Sequence, residues 1–478
     1  MARTTSTLHD HRRQSAPAGS LHVPQVGGAA TPALRRRRVW LRRFRQLLSE
    51  HRAHLAELVS QEVHKPVAEA LLADVVPLLD ACRWHERNLS RVLGPRPVRG
   101  GSVWQIGQRQ ETRREPLGRV AVIATWNYPI QLLGIQIVQA LAAGNTVVVK
   151  PSERSPRSQE ALLELARAAM AEAELDQRLL SWTEATREAG SALLVAERFD
   201  HIVFTGSTAT GRAIAELAAQ SLTPTTLELS GCDSAIVLDD ADLRLAAHTI
   251  WAAVTMNAGQ TCMAPRRVLV EDAAYVRFLS ELAPLVAAAA PAAMIDADAA
   301  RTCFAVAEAA ALTGGRSVSG VLEPPAANRL RPLAIVDCPR DSMLVAGGHF
   351  GPAVAVLRVR DTTDALQVHH QHAQHLVASV FTGQRARADA LVPLLGAGTV
   401  CVNDCVRPTA HPGASIGGRG DSGWGVTRGR EGLLAMTRPV VVARTSCRWR
   451  LPAELPAGGA LLGIDRLIGF LYGRRSRT

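Results

Sequence analysis

The sequence predicts an α/β fold, because short apolar runs alternate with helical patterns between residues 114 and 231. Four runs, GRVAVI, NTVVVK, HIVFTG and TTLEL, each end in a polar or glycine-containing turn, and a helical stretch separates each run from the next. Strands joined through helices form a parallel sheet that is covered on both faces. Ligands bind at the carboxyl ends of such strands, and Asn127, Lys150, Gly206 and Glu228 all fall there. These four residues therefore predict a functional site.

The size and composition indicate a soluble globular protein of two or more domains. The chain has 478 residues, of which 47% are hydrophobic and 20% are charged. No apolar run is long enough to span a bilayer, and the N-terminus lacks the pattern of a signal peptide. The eight cysteines are scattered singly, which is typical of reduced thiols. We therefore expect a cytoplasmic protein.

The basic balance reflects a preference for arginine rather than a nucleic-acid partner. The net charge is +11, yet only Lys65 and Lys150 are lysines among the 54 basic residues. No groove-reading motif accompanies the charge, so we expect no nucleic-acid binding. Where arginine has replaced lysine almost everywhere, a remaining lysine indicates a contact that needs a compact ammonium group. This argument applies to Lys150, at a strand end, while Lys65 offers no comparable context.

The remainder of the chain gives coarser signals. Residues 1–20 are predicted to be a loose tail, residues 32–60 and 66–93 to be helices, and residues 351–359, 375–383, 396–404 and 438–445 to contain strands. The tail at residues 459–478 combines an apolar stretch with basic residues. We favour a helix packed on the protein's own surface, while weak peripheral contact with a membrane remains open. No metal site is expected.

Three features could carry chemistry. The segment from Gly206 to Gly211 joins a strand to a helix and could bind phosphate, or it could be only a tight turn. Glu228 ends an apolar strand, where a carboxylate titrates at a higher pH and suits a general base, or forms a structural ion pair. Cys262 lies in the polar loop NAGQTC, whereas most free cysteines are buried as small apolar groups. Asn127 offers a side-chain amide that could stabilise an oxyanion.

Taken together, these motifs resemble the aldehyde dehydrogenase superfamily from about Leu41 to Val441. TWNYP, VVVKPSE, FTGST, TLEL, NAGQTC, HFGP and IGGRGDSGWG occur in the family's order. The spacings from Asn127 to Lys150 and from Glu228 to Cys262 also match the family. The combination looks most like the class 3 branch, which includes enzymes for fatty and aromatic aldehydes.

The resemblance implies NAD(P)-dependent oxidation of an aldehyde. Cys262 would attack the aldehyde, Asn127 and the Cys262 backbone N–H would stabilise the oxyanion, and Glu228 would activate the water that hydrolyses the thioester. The cofactor, NAD or NADP, would contact the following residues: Trp126, Lys150, Glu153, Gly206, Ser207, Gly211, Leu229 and Phe350.

The resemblance also implies a domain organisation. It places a Rossmann-type nucleotide-binding domain at residues 21–106 and 119–227, and an α/β catalytic domain at residues 228–428. Bridging β-strands for oligomerisation would lie at residues 107–118 and 429–450, with a tail at residues 451–478. The family's class 3 branch implies a homodimer.

Three departures from the family pattern concern the cofactor. Gly348 replaces the glutamate that would hold the nicotinamide ribose, Ser230 replaces a glycine, and Cys232 replaces a lysine. The segment between Val270 and Gly347 is also shorter than is usual. Two alternatives therefore stay open: transfer of the acyl group to coenzyme A, and a weakly active family member with a binding role.

Overall fold

The computed structural model of the protein describes residues 32–101, 105, 107–448 and 459–473. The tail expected at residues 1–20 lies outside the described residues. The chain divides into two compact units. The larger unit comprises the described residues up to Gly94 together with Arg114–Pro439, and the smaller unit comprises those of Pro95–Arg113 and those from Val440 onward.

The described residues contain α-helices with the following bounds: α1 (Pro32–Glu50), α2 (Arg52–Val63), α3 (Val67–Ala70), α4 (Val76–Leu93), α5 (Gln131–Ala143), α6 (Pro156–Glu172), α7 (Arg187–Ala196), α8 (Thr208–Gln220), α9 (Leu243–Thr255), α10 (Asp272–Ala288), α11 (Ala297–Leu312), α12 (Thr362–His369), α13 (Arg385–Leu391), α14 (Gly429–Ala435) and α15 (Gly459–Tyr472). A π-helical turn, Leu71–Val75, joins α3 to α4. The helix predicted at residues 66–93 therefore contains a π turn, and the one predicted at residues 32–60 is interrupted at His51.

The described strands have the following bounds: β1 (Arg96–Val98), β2 (Gln108–Pro116), β3 (Arg119–Ile123), β4 (Thr146–Lys150), β5 (Leu180–Trp182), β6 (His201–Gly206), β7 (Thr225–Leu229), β8 (Asp233–Val237), β9 (Pro265–Glu271), β10 (Ala292–Ala293), β11 (Arg316–Ser317), β12 (Arg329–Leu330), β13 (Leu333–Val336), β14 (Ala353–Val359), β15 (Gln374–His375), β16 (Val377–Phe381), β17 (Thr399–Val402), β18 (Arg419–Gly420), β19 (Gly423–Trp424) and β20 (Thr437–Thr445).

A six-stranded sheet contains the four strands that the sequence predicted between residues 114 and 231. Its order is β19-β7-β6-β3-β4-β5, and every pair is parallel except β19 with β7. Helices α1, α2, α4, α5 and α6 contribute buried apolar side chains to a core against this sheet. Helix α5 ends at Gly144, whose φ of 102° is the left-handed conformation that glycine adopts readily. The predicted parallel α/β architecture is confirmed.

A second sheet of seven strands follows the first along the chain. Its order is β11-β13-β14-β9-β8-β16-β17, and all its pairs are parallel except β11 with β13. Strands β14, β16 and β17 match predicted apolar runs, whereas β8 and β13 were not predicted. Two apolar cores cover the faces of this sheet, one with α11 and α12 and the other with α9 and α10.

The smaller unit contains most of a three-stranded sheet of order β1-β2-β20. Arg444 on β20 donates to Glu111 on β2 over 2.9 Å. Helix α15 also belongs to this unit, and its side chains Leu461, Leu462 and Ile468 are exposed. Among the described residues, no helix has both the length and the apolar character needed to cross a membrane.

Candidate active site

The loop that carries Cys262 has an unusual backbone. Asn257, Ala258 and Gly259 lie in succession at φ values of 53°, 51° and 70°, in the left-handed region. A Cβ atom at Gly259 would lie 2.2 Å from the carbonyl carbon of Gly351, so only glycine fits there. Non-glycine residues in this conformation are strained and persist only where neighbouring groups hold them. Contacts with neighbouring residues must therefore stabilise the conformation of this loop.

Hydrogen bonds from buried side chains hold this loop. Arg266 donates from Nη1 to the carbonyl oxygen of Gly259 over 3.1 Å, and from Nη2 to that of Thr261 over 2.8 Å. Gln260 donates from Nε2 to the Asn257 carbonyl oxygen over 3.0 Å. Arg266 is 2% exposed, and its Nη1 atom also donates to the Gly351 carbonyl oxygen over 3.1 Å. These hydrogen bonds fix the backbone of the loop that carries Cys262.

Asn127 contacts the same loop from the opposite side. Its Nδ2 atom donates to the Gln260 carbonyl oxygen over 3.1 Å, two residues before Cys262. Its own carbonyl oxygen accepts from Nδ2 of Asn257 over 2.9 Å. An amide group carries two N–H donors, and this contact uses one of them. Asn127 therefore lies beside the loop that carries Cys262.

Lys65 is a site residue that the sequence analysis missed. Its side chain is fully buried, with Nζ 2.5 Å from Oδ2 of Asp74 and 2.9 Å from the carbonyl oxygen of Asn127. The ammonium group also lies 3.8 Å from the centroid of the Tyr128 ring. Asp74 accepts in turn from the backbone N–H of Gln131, where α5 begins, over 3.3 Å. The rarity of lysine, applied here only to Lys150, was the signal that pointed to Lys65 as well.

Glu228 is the penultimate residue of β7 and is 4% exposed. Thr205 on the neighbouring strand donates to its Oε2 atom over 3.4 Å, and Gln136 donates to the Thr205 hydroxyl over 2.8 Å. Burial raises the pKa of Glu228 above its ordinary value, although the charge of Arg428 and the Thr205 hydrogen bond oppose that change. A carboxylate with a raised pKa is suited to accept a proton near neutral pH.

Cys262 is half-buried and rests as a thiol. Burial, followed by the negative charges of Glu228 and Asp233, raises the pKa of the Cys262 thiol to about 12. The positive charges of Arg428 and Arg266 act in the opposite direction. Glu228 is therefore close enough to Cys262 to affect the pKa of its thiol.

The predicted ribose-binding residues form one cluster at the end of β4. Lys150 donates to Oε2 of Glu153 over 2.8 Å, and Arg187 donates to Oε1 over 3.0 Å. Burial opposes the charged form of Glu153, but the hydrogen bonds from Lys150 and Arg187 prevail and lower its pKa to about 2. Glu153 is therefore an anion at neutral pH, and it is paired with two cations.

The segment predicted to bind phosphate begins α8. Ser207 is the N-cap residue, and its hydroxyl oxygen accepts from the backbone N–H of Thr210 over 3.2 Å. A Cβ atom at Gly211 would lie 2.5 Å from Cδ2 of Leu229, so this glycine lets α8 pack closely against β7. A Cβ atom at Gly206 would likewise lie 2.5 Å from the Phe204 ring. The N-terminus of a helix attracts anions, and these glycines keep the approach to it open.

Two aromatic rings meet beside the site. The rings of Trp126 and Phe350 are in an edge-to-face arrangement with centroids 6.0 Å apart. The guanidinium of Arg266 lies 5.4 Å from the Phe350 centroid, so the cation that holds the Cys262 loop also contacts this pair. These contacts place both predicted aromatic residues next to the nucleophile loop.

The three departures noted in the sequence occupy defined positions. Ser230 accepts at its carbonyl oxygen from the Ser422 hydroxyl over 3.0 Å. Cys232 is buried, with Sγ 3.5 Å from the Val345 carbonyl oxygen. A Cβ atom at Gly348 would lie 2.6 Å from Cε of Met343, whose side chain is exposed, and 3.1 Å from the Met343 carbonyl oxygen.

Comparison with known proteins decides the family. The family model described as "Aldehyde dehydrogenase family" matches residues 25–442. The chain belongs to the aldehyde dehydrogenase family. It is 30% identical over 452 residues to a 4,4'-diapolycopene aldehyde oxidase from a Methylomonas species, covering 91% of this chain and 82% of that protein. It is also 30% identical to the dimeric NADP-preferring aldehyde dehydrogenase of Canis lupus familiaris, covering 82% of this chain and 86% of the relative.

Solved structures agree with this assignment. A variant of the aldehyde dehydrogenase from Bacillus cereus superimposes with a TM-score of 0.77 at 26% identity, covering 88% of this chain and 86% of that chain. The predicted aldehyde dehydrogenase fold and the resemblance to the class 3 branch are therefore confirmed. The chain is an oxidoreductase of this NAD(P)-dependent family. The roles of the individual site residues in this aldehyde dehydrogenase remain proposals.

Proposed function

We propose that this enzyme oxidises an aldehyde to a carboxylic acid through a thioester on Cys262. The observation that carries the proposal is the hydrogen bond from Asn127 to the Gln260 carbonyl oxygen, which joins an amide donor to the loop of the nucleophile. The second N–H of that amide and the backbone N–H of Cys262 then stabilise the oxyanion that forms when sulfur attacks the aldehyde carbon. The intermediate is a thiohemiacetal.

Glu228 is proposed to complete the reaction. After oxidation of the thiohemiacetal, the acyl group is held on Cys262 as a thioester, which water must hydrolyse. The buried carboxylate of Glu228 takes a proton from that water, because its raised pKa gives it the basicity for this step. Thr205 donates to the carboxylate and fixes its orientation. As the water oxygen bonds to the acyl carbon, the carbon–sulfur bond breaks and the Cys262 thiolate takes the proton from Glu228, so the acid is released and the thiol is restored.

The residues present fit a nicotinamide dinucleotide. The open N-terminus of α8 at Ser207 would hold the pyrophosphate, and Lys150 and Glu153 would hold the adenosine ribose. The pair of Trp126 and Phe350 would line the nicotinamide pocket. When bound, NAD or NADP supplies the acceptor for the aldehyde hydride. The Glu153 carboxylate would repel a 2′-phosphate, whereas the paired Lys150 and Arg187 would attract one, so we propose NAD or NADP as the cofactor.

The substrate class follows from the resemblance to the class 3 branch. We propose an apolar aldehyde, aliphatic or aromatic, as the substrate. The proposed assay follows reduced nicotinamide by absorbance with short, long-chain and aromatic aldehydes, and it compares the wild type with Cys262→Ala. We expect turnover by the wild type and none by the variant. Equal rates for the wild type and Cys262→Ala with every aldehyde would contradict the proposal.

The replacement of glutamate by Gly348 favours one alternative, in which the thioester passes its acyl group to coenzyme A. Adding coenzyme A to the same assay separates the two reactions. Hydrolysis predicts free acid and an unchanged rate, whereas transfer predicts an acyl-thiol product and a faster rate.

We also propose that the enzyme is a cytoplasmic homodimer. Seven of the cysteines are free thiols, as expected for a reducing compartment: Cys82, Cys232, Cys262, Cys303, Cys338, Cys401 and Cys405. Strand β20 lies at the edge of its sheet with Val441 exposed, and such an edge can pair with a second copy. Sedimentation of the wild type and of Val441→Asp tests this, since only the wild type should be a dimer. A monomeric wild type would contradict it.

A further inference from the structure

Four histidines lie within a stretch of seven residues that starts at His369, the last residue of α12. His369, His370, His372 and His375 occupy the segment HHQHAQH, which connects α12 to β15. The rings of three of them form a triangle, with centroid distances of 4.9 Å for His369–His370, 4.8 Å for His369–His375 and 5.6 Å for His370–His375. One ring nitrogen from each lies within 4.8 Å of the others. The proposed reaction uses none of these residues.

The hydrogen bonds of this cluster determine which nitrogens are available. His369 and His370 direct their Nε2 atoms at consecutive carbonyl oxygens, those of Leu395 and Leu394, each over 2.8 Å. A carbonyl oxygen can only accept, so each Nε2 must carry the proton and each Nδ1 must present a lone pair. Histidines that bind metals commonly have this arrangement, with the second ring nitrogen bonded to a backbone carbonyl.

The third ring contributes an unsatisfied nitrogen. The Nδ1 atom of His375 is buried and has no hydrogen-bond partner among the described residues. Buried polar atoms are nearly always paired, and an unpaired one indicates a missing water or ion. The corresponding lone pair on His369 accepts from the Ser234 hydroxyl over 3.0 Å, a contact that a metal would replace.

We propose that His369, His370 and His375 form a binding site for a divalent transition-metal ion of the zinc class. Imidazole nitrogen is a preferred ligand of zinc, copper and nickel, and three protein ligands with a water in the fourth position complete a tetrahedral site. His369 is buried, His375 is half-buried and His370 is exposed, so the site opens to solvent on the side of His370. An ion can enter there.

The electrostatics of the surroundings both help and limit the site. The hydrogen bonds to the Leu395 and Leu394 carbonyl oxygens favour the site, because they leave the Nδ1 lone pairs of His369 and His370 for an ion. Arg267 opposes the ion, because its guanidinium donates to the carbonyl oxygen of His369 over 3.1 Å. We therefore expect a weaker affinity than that of a structural zinc site with thiolate ligands.

The site would adjoin the proposed cofactor region. Gln374, which precedes the ligand His375, donates from Nε2 to the hydroxyl of Thr208 over 3.0 Å, at the first residue of α8. Strand β15 also pairs with β18 through His375 and Arg419. A metal ion would therefore tie the histidine segment to the elements that contact the start of α8.

Calorimetric titration of the chelator-treated enzyme with zinc chloride tests the site. The protein carries no affinity tag and contains Cys262→Ala, which removes the catalytic thiol as a competing ligand. We expect one zinc ion per chain, and His370→Ala and His375→Ala should each weaken binding by at least about tenfold. The matched control is His54→Ala, an exposed histidine on α2, which should bind zinc as the parent does. Binding that is absent from the parent, or unchanged in both ligand variants, overturns the proposal.

Titration with cobalt(II) identifies the ligand atoms independently. Nitrogen ligands alone give weak visible absorption, whereas a thiolate ligand adds an intense band in the near ultraviolet. We expect the weak visible bands in the parent and their loss in His375→Ala. A thiolate band would overturn the proposal, because it would assign the bound metal to a cysteine elsewhere. Circular dichroism of each variant verifies that lost binding does not reflect unfolding.

Discussion

Replacing Lys65 by methionine tests whether the buried ion pair positions the oxyanion donor. Both side chains of the Lys65–Asp74 pair are inaccessible to solvent, with Nζ and Oδ2 2.5 Å apart. Lys65→Met keeps an unbranched chain of similar length but leaves the carboxylate of Asp74 buried without its counter-charge. Breaking one side of a buried pair costs about 3–5 kcal/mol. The loss of the hydrogen bond to the Asn127 carbonyl oxygen adds about 0.5–1.5 kcal/mol.

Urea denaturation measures this loss of unfolding free energy. The double variant Lys65→Met/Asp74→Asn should recover more than half of it, because the asparagine oxygen still accepts from the N–H of Gln131 and no charge remains. The control is Arg42→Met, which removes an exposed ion pair with Glu86 and should cost less than about 1 kcal/mol. If Lys65→Met costs no more than Arg42→Met, the reasoning about burial is refuted.

Kinetics separate positioning from stability. Asn127 should move when its carbonyl loses Lys65, so the double variant should regain stability but not full turnover. We expect kcat to fall by at least about tenfold in both variants, since small misplacements of a catalytic group lower rates strongly. A double variant with wild-type kcat would show that the ion pair is only structural.

Four further predictions concern the site directly. Glu228→Gln should lower steady-state turnover by about 10²–10⁴-fold and leave an acyl group on Cys262 detectable by mass spectrometry, whereas a variant that turns over without such an adduct would contradict the assigned base. Because burial raises the pKa of Glu228, the wild-type rate should fall with decreasing pH at a higher pH than an ordinary glutamate would give, and Glu228→Gln should lack this limb. Alkylation of Cys262 by iodoacetamide should accelerate about tenfold per pH unit in neutral and mildly alkaline solution, since the thiol pKa is about 12, and a plateau near neutral pH would disprove the thiol resting state. Gly348→Glu combined with Met343→Ala, which relieves the 2.6 Å contact, should lower the KM for NAD several-fold through restored ribose hydrogen bonds, with Met343→Ala alone unchanged as the control.

Much of the candidate site was predictable because ligands of parallel α/β sheets bind at the carboxyl ends of the strands. Four predicted residues lie at or just after the carboxyl ends of strands in the six-stranded sheet: Asn127, Lys150, Gly206 and Glu228. In a parallel sheet these strand ends all lie on the same side. The rule needs only the strand positions, which alternating apolar and helical patterns supply. Strands β8 and β13 escaped prediction because each is a short apolar run without a helical pattern that isolates it clearly.

The backbone of the Cys262 loop was not predictable. Its left-handed residues Asn257 and Ala258 adopt their conformation through contacts that are distant in sequence, such as the 2.5 Å hydrogen bond from the Asn257 N–H to Glu69. Local propensity favours other conformations for alanine, and tertiary contacts prevail. Arg428 was missed for a related reason, since nothing local indicates that this arginine, also at positive φ, is buried near Glu228.

The two lysines show how far compositional reasoning extends. In a chain that uses arginine almost exclusively, both lysines are buried and each ammonium group contacts a carboxylate, that of Glu153 for Lys150 and that of Asp74 for Lys65. A planar guanidinium would be too large for the space between Asp74 and the Tyr128 ring, where Nζ lies 3.8 Å from the ring centroid. Lys65→Arg should therefore destabilise the enzyme although it preserves the charge. Lys65 thus donates to the backbone of Asn127, while Lys150 belongs to the proposed cofactor site.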